Sequence, residues 1–317
     1  MKRRELLQGA AAFGVMAAAP FSAIGKLFAS PRPASAPQGA AGGQPAARPA
    51  PLTPPAQGSI PVAFLLSDGA VVIDFCGPWE VFQDVYIPGR KDDAFHLYTV
   101  AETAKPVRTS GGMTIVPDHT LATAPAPKVV VIPAQKAPSE AMLAWVRKSS
   151  RTADLTMSVC TGAFLLAKTG LLSGKAATTH HAAYQQFAMA FPDVRLERGA
   201  RFVEAGNLAS AGGLSSGIDL ALRVVERYYG REVATQTAYQ MEYQGQGWLD
   251  PRSNAVYAVA RASTDAHPLC PVCGMDVDPK ASPKSAYKGK TYYFCTEDHK
   301  RLFDGTPERF LDTAKNG

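Results

Sequence analysis

The sequence predicts a doubly wound parallel α/β sheet followed by a second, small C-terminal α+β domain stapled by a metal ion. Two patterns carry this. Across residues 59–258, short β-branched runs alternate with helical stretches, as in a sheet covered by helices on both faces. The last fifty residues then hold three of the five cysteines and one of the six histidines, spaced C-x2-C, a gap of 21, then C-x3-H. A C-x2-C turn aims two sulfurs at one point, and C-x3-H on one helical turn aims a sulfur and an imidazole.

At the start of the chain, Lys2-Arg3-Arg4-Glu5-Leu6-Leu7-Gln8 precedes an apolar, alanine-rich run to about Ile24. A charged start, a short apolar core and small residues beyond it read as an export signal over residues 1–30. The paired arginines name the twin-arginine machinery as a partner and a periplasmic or otherwise exported location. The run is weakly hydrophobic and broken at Pro20, so a stable membrane anchor is not expected. A cytoplasmic amphipathic helix is the alternative. Removing residues 1–29 removes Lys2, Arg3, Arg4 and Lys26 against Glu5, a net of 4 − 1 = +3, so the formal +6 falls to about +3. Nothing then demands nucleic acid as a partner. Residues 31–58 follow as a linker, with eight prolines and eight alanines between positions 31 and 56. Such a stretch cannot bury enough surface to offset its ordering entropy, and predicts an extended tether.

The elements of the central domain follow in order. Val62-Ala-Phe-Leu-Leu66 reads as a buried strand, and residues 77–86 as a helix with Pro78 in its first turn. Residues 95–100 form a second strand. Lys128-Val-Val-Val-Ile-Pro133 is a continuous apolar run of the kind found in central parallel strands. A helix over residues 139–148 has Ser139 as its cap. Leu155-Thr-Met-Ser-Val159 is another buried strand, and a long helix over residues 216–229 closes at Gly230. Residues 259–267 form a connector, since Ala262-Ser-Thr-Asp-Ala-His-Pro268 has no sustained periodicity and ends on a helix breaker.

Cys160 stands directly after a buried strand and before the helical Thr161-Gly162-Ala163-Phe-Leu-Leu-Ala. Strand–nucleophile–helix is an elbow, in which following amides and the positive helix end favour a thiolate and a developing anion. A buried structural cysteine is the alternative. The segment from Phe64 to Phe82, then Val159-Cys-Thr-Gly-Ala, Ala177-Thr-Thr-His180 and Ser210-Ala-Gly-Gly-Leu-Ser-Ser-Gly-Ile-Asp219, resembles the ThiJ/PfpI superfamily, and within it the branch of the isonitrile hydratases and the class I amidotransferase-like domains of related regulators. The resemblance implies a flavodoxin-like fold, a cysteine nucleophile, a small-molecule substrate, no organic cofactor, and a homodimer through the α/β domain. It places the nucleophile at Cys160, the adjacent hydroxyl at Thr161, the acidic residue at Asp74 and a histidine near the sulfur at His180. For Asp74 a helix cap ahead of Gly77-Pro78 is the alternative, and for His180 a packed core histidine. Three positions depart from the superfamily. Ala134-Gln135 replaces the usual Gly-Gly after Pro133, where a positive φ would be costly. His181 stands where tryptophan is usual. Cys76 lies two residues from Asp74, either as a small core residue or as a partner for Cys160 in a disulfide.

Two disulfides in the C-terminal segment would need a fourth thiol, and only three are present. Cys270-Pro-Val-Cys273-Gly-Met-Asp-Val, Tyr287-Lys-Gly-Lys-Thr-Tyr-Tyr-Phe-Cys295 and Phe303-Asp-Gly-Thr-Pro-Glu-Arg-Phe-Leu resemble the YHS domain, over residues 268–314. One thiophilic ion, zinc or copper, is therefore expected on Cys270, Cys273, Cys295 and His299, with Tyr293 and Phe294 packed beneath it and His267 left in the connector. Two functions remain open. One is an exported hydratase in which Cys160 attacks an isonitrile or similar small electrophile and Asp74 supplies the proton. The other is a non-catalytic, metal-handling or redox-responsive binding protein.

Overall fold

The computed structural model describes residues 49–259 and 263–311. The proposed export signal, residues 31–48 of the linker, residues 260–262 of the connector and residues 312–314 of the C-terminal domain lie outside them. Among the described residues, no helix is long and apolar enough to cross a membrane.

The strands and helices, in chain order, are β1 (Ile60–Leu65), α1 (Val72–Gln83), β2 (Phe95–Ala101), β3 (Val107–Arg108), β4 (Thr114–Ile115), β5 (His119–Thr120), β6 (Val129–Ile132), α2 (Glu140–Ser150), β7 (Leu155–Val159), α3 (Gly162–Lys168), β8 (Ala176–Ala177), α4 (Tyr184–Ala190), β9 (Arg195–Leu196), β10 (Phe202–Ala205), β11 (Leu208–Ala211), α5 (Ser216–Tyr229) and α6 (Arg231–Gln240). Seven of these strands form one sheet in the order β10-β11-β7-β6-β1-β2-β5. Every pairing in it is parallel except β10 with β11.

Alternation along the central strands divides the core in two. Val62, Phe64, Val129 and Val131 face one side and pack with Phe75, Phe82, Leu220 and Val224 from α1 and α5. Ala63, Leu65, Val130 and Ile132 face the other and meet Met142, Val146, Leu165 and Leu166 from α2 and α3. Both faces of a parallel strand are thus dry, which is why those strands read as unbroken apolar runs. Ser139 caps α2, its Oγ accepting from the Met142 amide at 3.2 Å. Gly230, at φ 87°, ends α5 as expected.

One element departs from expectation. α1 begins at Val72, so Pro78 sits inside the helix and Asp74 lies in its first turn, fully buried. Val71 holds the cap position, which removes the cap role for Asp74. Pro78 removes the bond its amide would make to the Asp74 carbonyl, and packing keeps the helix, since Phe75, Pro78, Val81 and Phe82 share one buried stripe.

The C-terminal domain is a hairpin, β12 (Lys284–Tyr287) with β13 (Lys290–Tyr293), then α7 (Glu297–Gly305) and α8 (Glu308–Leu311). Cys270, Val272, Phe294, Phe303 and Phe310 make its core. Tyr292, rather than the expected Tyr293, joins Phe294 against Phe303, because period-two alternation puts 292 and 294 on one face.

Residues 263–267 are all exposed between the two domains. Limited proteolysis should therefore release a C-terminal fragment starting near Asp265. Uniform protection through this stretch would show that the connector is packed instead.

Candidate functional site

The turn from β7 into α3 takes two residues, Cys160 and Thr161. Such a turn needs a left-handed backbone, and Cys160 has φ 58°. It also needs the helix start to lie almost on the neighbouring strand. A Cβ at Gly162 would stand 2.2 Å from the Ile132 carbonyl oxygen, so only glycine fits. The Cys160 amide donates to the Gly212 carbonyl at 2.8 Å, and the Thr179 hydroxyl donates to the Cys160 carbonyl at 3.0 Å. The cysteine backbone is held from two segments, and the residue is 6% exposed.

Asp74 reaches this sulfur from α1. Its Oδ2 accepts from the Ala134 amide at 3.1 Å, while Oδ1 has no hydrogen-bond partner of full geometry. Burial pushes the carboxyl up to about 7, against the smaller opposing pull of the Ala134 amide and the Cys160 thiol. Burial also pushes the thiol up to about 11, and the Asp74 charge adds to it. Amides of Leu214 and Thr161 and the Thr161 hydroxyl pull the other way. The two groups titrate as a pair: one proton leaves near neutrality and the second is held far above it. At pH 7 the resting sulfur is a thiol.

Leu214, itself at φ 33°, belongs to a glycine turn braced from behind. The Gly212 amide donates to the Arg201 carbonyl at 2.9 Å, and the Arg201 guanidinium reaches buried Asp219, Ser215 Oγ and Asn254 Oδ1. His180 packs on the same turn, where a Cβ at Gly213 would meet its ring carbon at 2.5 Å. Its Nδ1 accepts from the Ala182 amide at 3.2 Å, which leaves the ring proton on Nε2. Burial, then the neighbouring His181, lowers its pKa to about 4. His180 is thus neutral, and among the described interactions its ring packs on the turn beside Cys160 and makes no hydrogen bond to the sulfur. A cleft of about 100 Å³, lined by Pro133, Gln135, Lys136, Thr161 and Lys168 among others, opens beside the elbow without reaching Cys160 or Asp74.

The second cluster is in the C-terminal domain. Cys270 and Cys273 sit on a turn closed by the Gly274 amide donating to the Cys270 carbonyl at 2.7 Å. Thr296 caps α7 through the His299 amide, fixing Cys295 and His299 one turn apart. The ligand atoms of Cys270, Cys273, Cys295 and His299 all lie within 4.8 Å of one another. Cys273 and Cys295 sulfurs are 3.5 Å apart, and His299 Nδ1 is 3.1 Å from Cys295 and 3.6 Å from Cys270. Tetrahedral ligands at about 2.3 Å from an ion would stand roughly 3.7 Å apart, so the donor set fits a thiophilic ion. The Cys270 sulfur is held far below the usual thiol range, chiefly by a hydrogen bond from Cys273, then by His299 and the Cys295 and Val272 amides. His267 is exposed and outside the cluster.

The DJ-1/PfpI family model matches residues 61–227, more than half of the chain. The chain belongs to the DJ-1/PfpI family. The YHS domain model matches residues 270–314. Among relatives, an isonitrile hydratase of Pseudomonas putida is 32% identical over 190 residues, covering 58% of this chain and 79% of the hydratase. The HTH-type transcriptional regulator CdhR of Pseudomonas aeruginosa is 28% identical over 56% of this chain, which spans about half, 53%, of that regulator. A ThiJ/PfpI family protein from Pseudomonas syringae superposes with a TM-score of 0.53 at 26% identity, over 60% of this chain and 77% of that one. Drosophila melanogaster DJ-1beta shares the fold, with a TM-score of 0.51 at 21% identity over 59% of this chain and all of that one.

The DJ-1/PfpI domain thus brings Cys160, Thr161 and Asp74 together. The expected activated thiol is not what this site holds, because burial and the Asp74 charge together outweigh the helix end and its amides. Nor is there strain at Ala134-Gln135. Neither residue has positive φ, and the Ala134 amide is occupied by Asp74 rather than free for an oxyanion. Cys76 and Cys160 are both free thiols. Arg201 and Asn254, which brace the glycine turn, carry no motif and are visible only through the fold.

Asp74→Asn should remove the charge that holds the thiol up. Iodoacetamide should then alkylate Cys160 several-fold faster at pH 8–9 than in the parent, and equal or slower alkylation would show the two groups to be uncoupled. A carboxyl raised from 3.8 to about 7 contributes stability present below pH 4 and lost as pH rises to about 7. Parent stability measured against Asp74→Asn by denaturant melts should fall across that window.

Proposed function

We propose that the DJ-1/PfpI domain is a cysteine-dependent hydratase for a small electrophile of the isonitrile class. The observation that carries this is the buried Asp74 carboxyl set against the Cys160 sulfur at the elbow. In its singly protonated form the pair holds both a nucleophile and an acid. The Cys160 sulfur attacks the terminal isonitrile carbon as its proton passes through Asp74 to that carbon, giving a thioimidate, R–N=CH–S–Cys160. Water then adds to the same carbon, the carbon–sulfur bond breaks, and R–NH–CHO leaves with the thiol restored. Isonitrile and water give the N-substituted formamide, with no electron gained or lost. Asp74 delivers and recovers protons at carbon and sulfur, and Thr161 holds the sulfur with its hydroxyl. The relative's activity on isonitriles supports this substrate class. The paired arginines support twin-arginine export to the periplasm, and the superfamily resemblance supports a homodimer through the α/β domain.

The second reading is a non-catalytic binding or metal-handling protein. The closure of the sulfur favours it, since Cys160 is nearly buried and the adjacent cleft stops short of it. In either reading Cys270, Cys273, Cys295 and His299 would hold one zinc or copper ion, which supplies a structural staple for a domain too small to bury a large core.

Cys160→Ser should abolish formamide production, and Asp74→Asn should lower kcat by about 10²–10⁴-fold. The pH profile of kcat/KM should rise through an acid limb near 7, the Asp74 value, and lose that limb in Asp74→Asn. Unchanged turnover in Cys160→Ser would end the hydratase assignment. Metal analysis should find one ion per chain, and Cys273→Ser should weaken Zn²⁺ binding by more than the roughly 10–100-fold typical of losing an outer-shell partner.

A further inference from the structure

The metal cluster is not confined to its own domain. Gln186, on α4 of the α/β domain, places its side-chain nitrogen, the donor end of its amide, 3.0 Å from His299 Nε2, the ring nitrogen that faces away from the sulfurs. One residue earlier, the Gln185 amide donates to the Arg309 carbonyl at 3.0 Å. Met189, one turn on, packs into the core formed by Cys270, Val272, Phe294, Phe303 and Phe310. Positions 185, 186 and 189 lie on one side of a two-turn helix, while Tyr184 and Phe187 face the α/β core. Phe187 stacks edge-on against Phe164 of α3, the helix that starts at the elbow, with ring centroids 5.1 Å apart.

A histidine that ligates a metal through Nδ1 must carry its proton on Nε2, and needs an acceptor there to fix ring and tautomer. Such partners are usually a carboxylate, a carbonyl or water. A glutamine amide differs in one respect: a half-turn about its last bond exchanges acceptor for donor. It can therefore accept from Nε2–H when Nδ1 is a ligand, and donate to Nε2 when Nδ1 carries the proton.

We propose that Gln186 is the positioning partner of His299, so that the α/β domain completes the metal site of the C-terminal domain from outside it. This rests on the reading of the four residues as a metal site and goes beyond it, because neither family alone would place a partner across the domain boundary.

The experiment uses the full chain and Zn²⁺ alone, in competition with a chromophoric chelator under reducing conditions. Gln186→Leu keeps the shape and removes the acceptor, and should weaken Zn²⁺ binding by roughly 10–100-fold. Gln186→Glu supplies a permanent acceptor and should bind at least as tightly as the parent. In the Zn²⁺-loaded parent, the His299 Nε2 proton should be visible by NMR as slowly exchanging, and in Gln186→Leu it should be lost to water. That signature separates orientation from a simple change of charge near the site. Cys273→Ser is run beside them. If Cys273→Ser loses Zn²⁺ while Gln186→Leu binds as the parent does, the inference about Gln186 is wrong and the metal site stands. If Cys273→Ser binds as tightly as the parent, the metal site itself is wrong and Gln186 has nothing to orient. Should Gln186→Leu fold poorly, a Gln186→Glu chain in which the Nε2 proton exchanges freely would overturn the proposal equally.

Discussion

The approach of α3 to β6 at Gly162 is the constraint on which the site depends. A methyl group there would overlap the Ile132 carbonyl, so the helix can begin two residues after β7 only because position 162 has no side chain. That short turn forces Cys160 into the left-handed region, at a cost on the order of 1–2 kcal/mol for a residue with a Cβ. The cost is offset by hydrogen bonds to the cysteine backbone from two segments, the glycine turn and Thr179. In return the sulfur is fixed between the first turn of α1 and the glycine turn after β11. Asp74 from one and the Leu214 amide from the other then act on one atom.

Which electrostatic effect wins at that atom follows from burial. A helix start and two amides favour a thiolate, and on a half-exposed cysteine they lower the pKa. Here the desolvation of both groups dominates, and a second negative charge on the adjacent carboxyl is added to it. Neither group can ionise freely while the other is charged. The result is a proton shared between oxygen and sulfur, as in a carboxylate dyad, instead of a standing nucleophile. Such a site is chemically quiet until a molecule that needs both a proton and an electron pair enters it. His180 does not enter this balance, since its ring is neutral and acts on neither the carboxyl nor the sulfur among the described interactions.

The strands and the long closing helix were legible in the sequence because parallel strands buried on both faces leave continuous apolar runs, as at Val129–Ile132 and Leu155–Val159. The metal donors were legible because their spacing is itself the geometry. The start of α1 was not, since Pro78 and Gly77 mark a helix entry by local preference while the helix is kept by packing against α5. The pairing of Asp74 with Cys160 came from resemblance, and its proton balance could not be read at all, because burial is a property of the assembled sheet. For the same reason Arg201 and Asn254 left no signal: each acts through a turn that lies far from it in the chain. The choice between Tyr292 and Tyr293 needed only the register of one strand.

The docking of α4 ties these two chemistries together physically. Its inner face, through Phe187, meets the helix that begins at the elbow, and its outer face meets the ring of His299 in the Cys3His cluster. It also follows directly on His180 and His181, the second of which stacks on Tyr257 near the end of the α/β domain, at 4.9 Å between ring centroids. Displacing the C-terminal domain would expose Met189 and leave the Gln185 and Gln186 amides to water, so the arrangement resists separation by apolar burial as well as by hydrogen bonds. A buried thiol beside a carboxyl and a Cys3His cluster whose spacing suits a soft ion thus occupy one chain. The first sulfur is buried within the α/β core, and the other three are set with His299 within 4.8 Å of one another in the second domain.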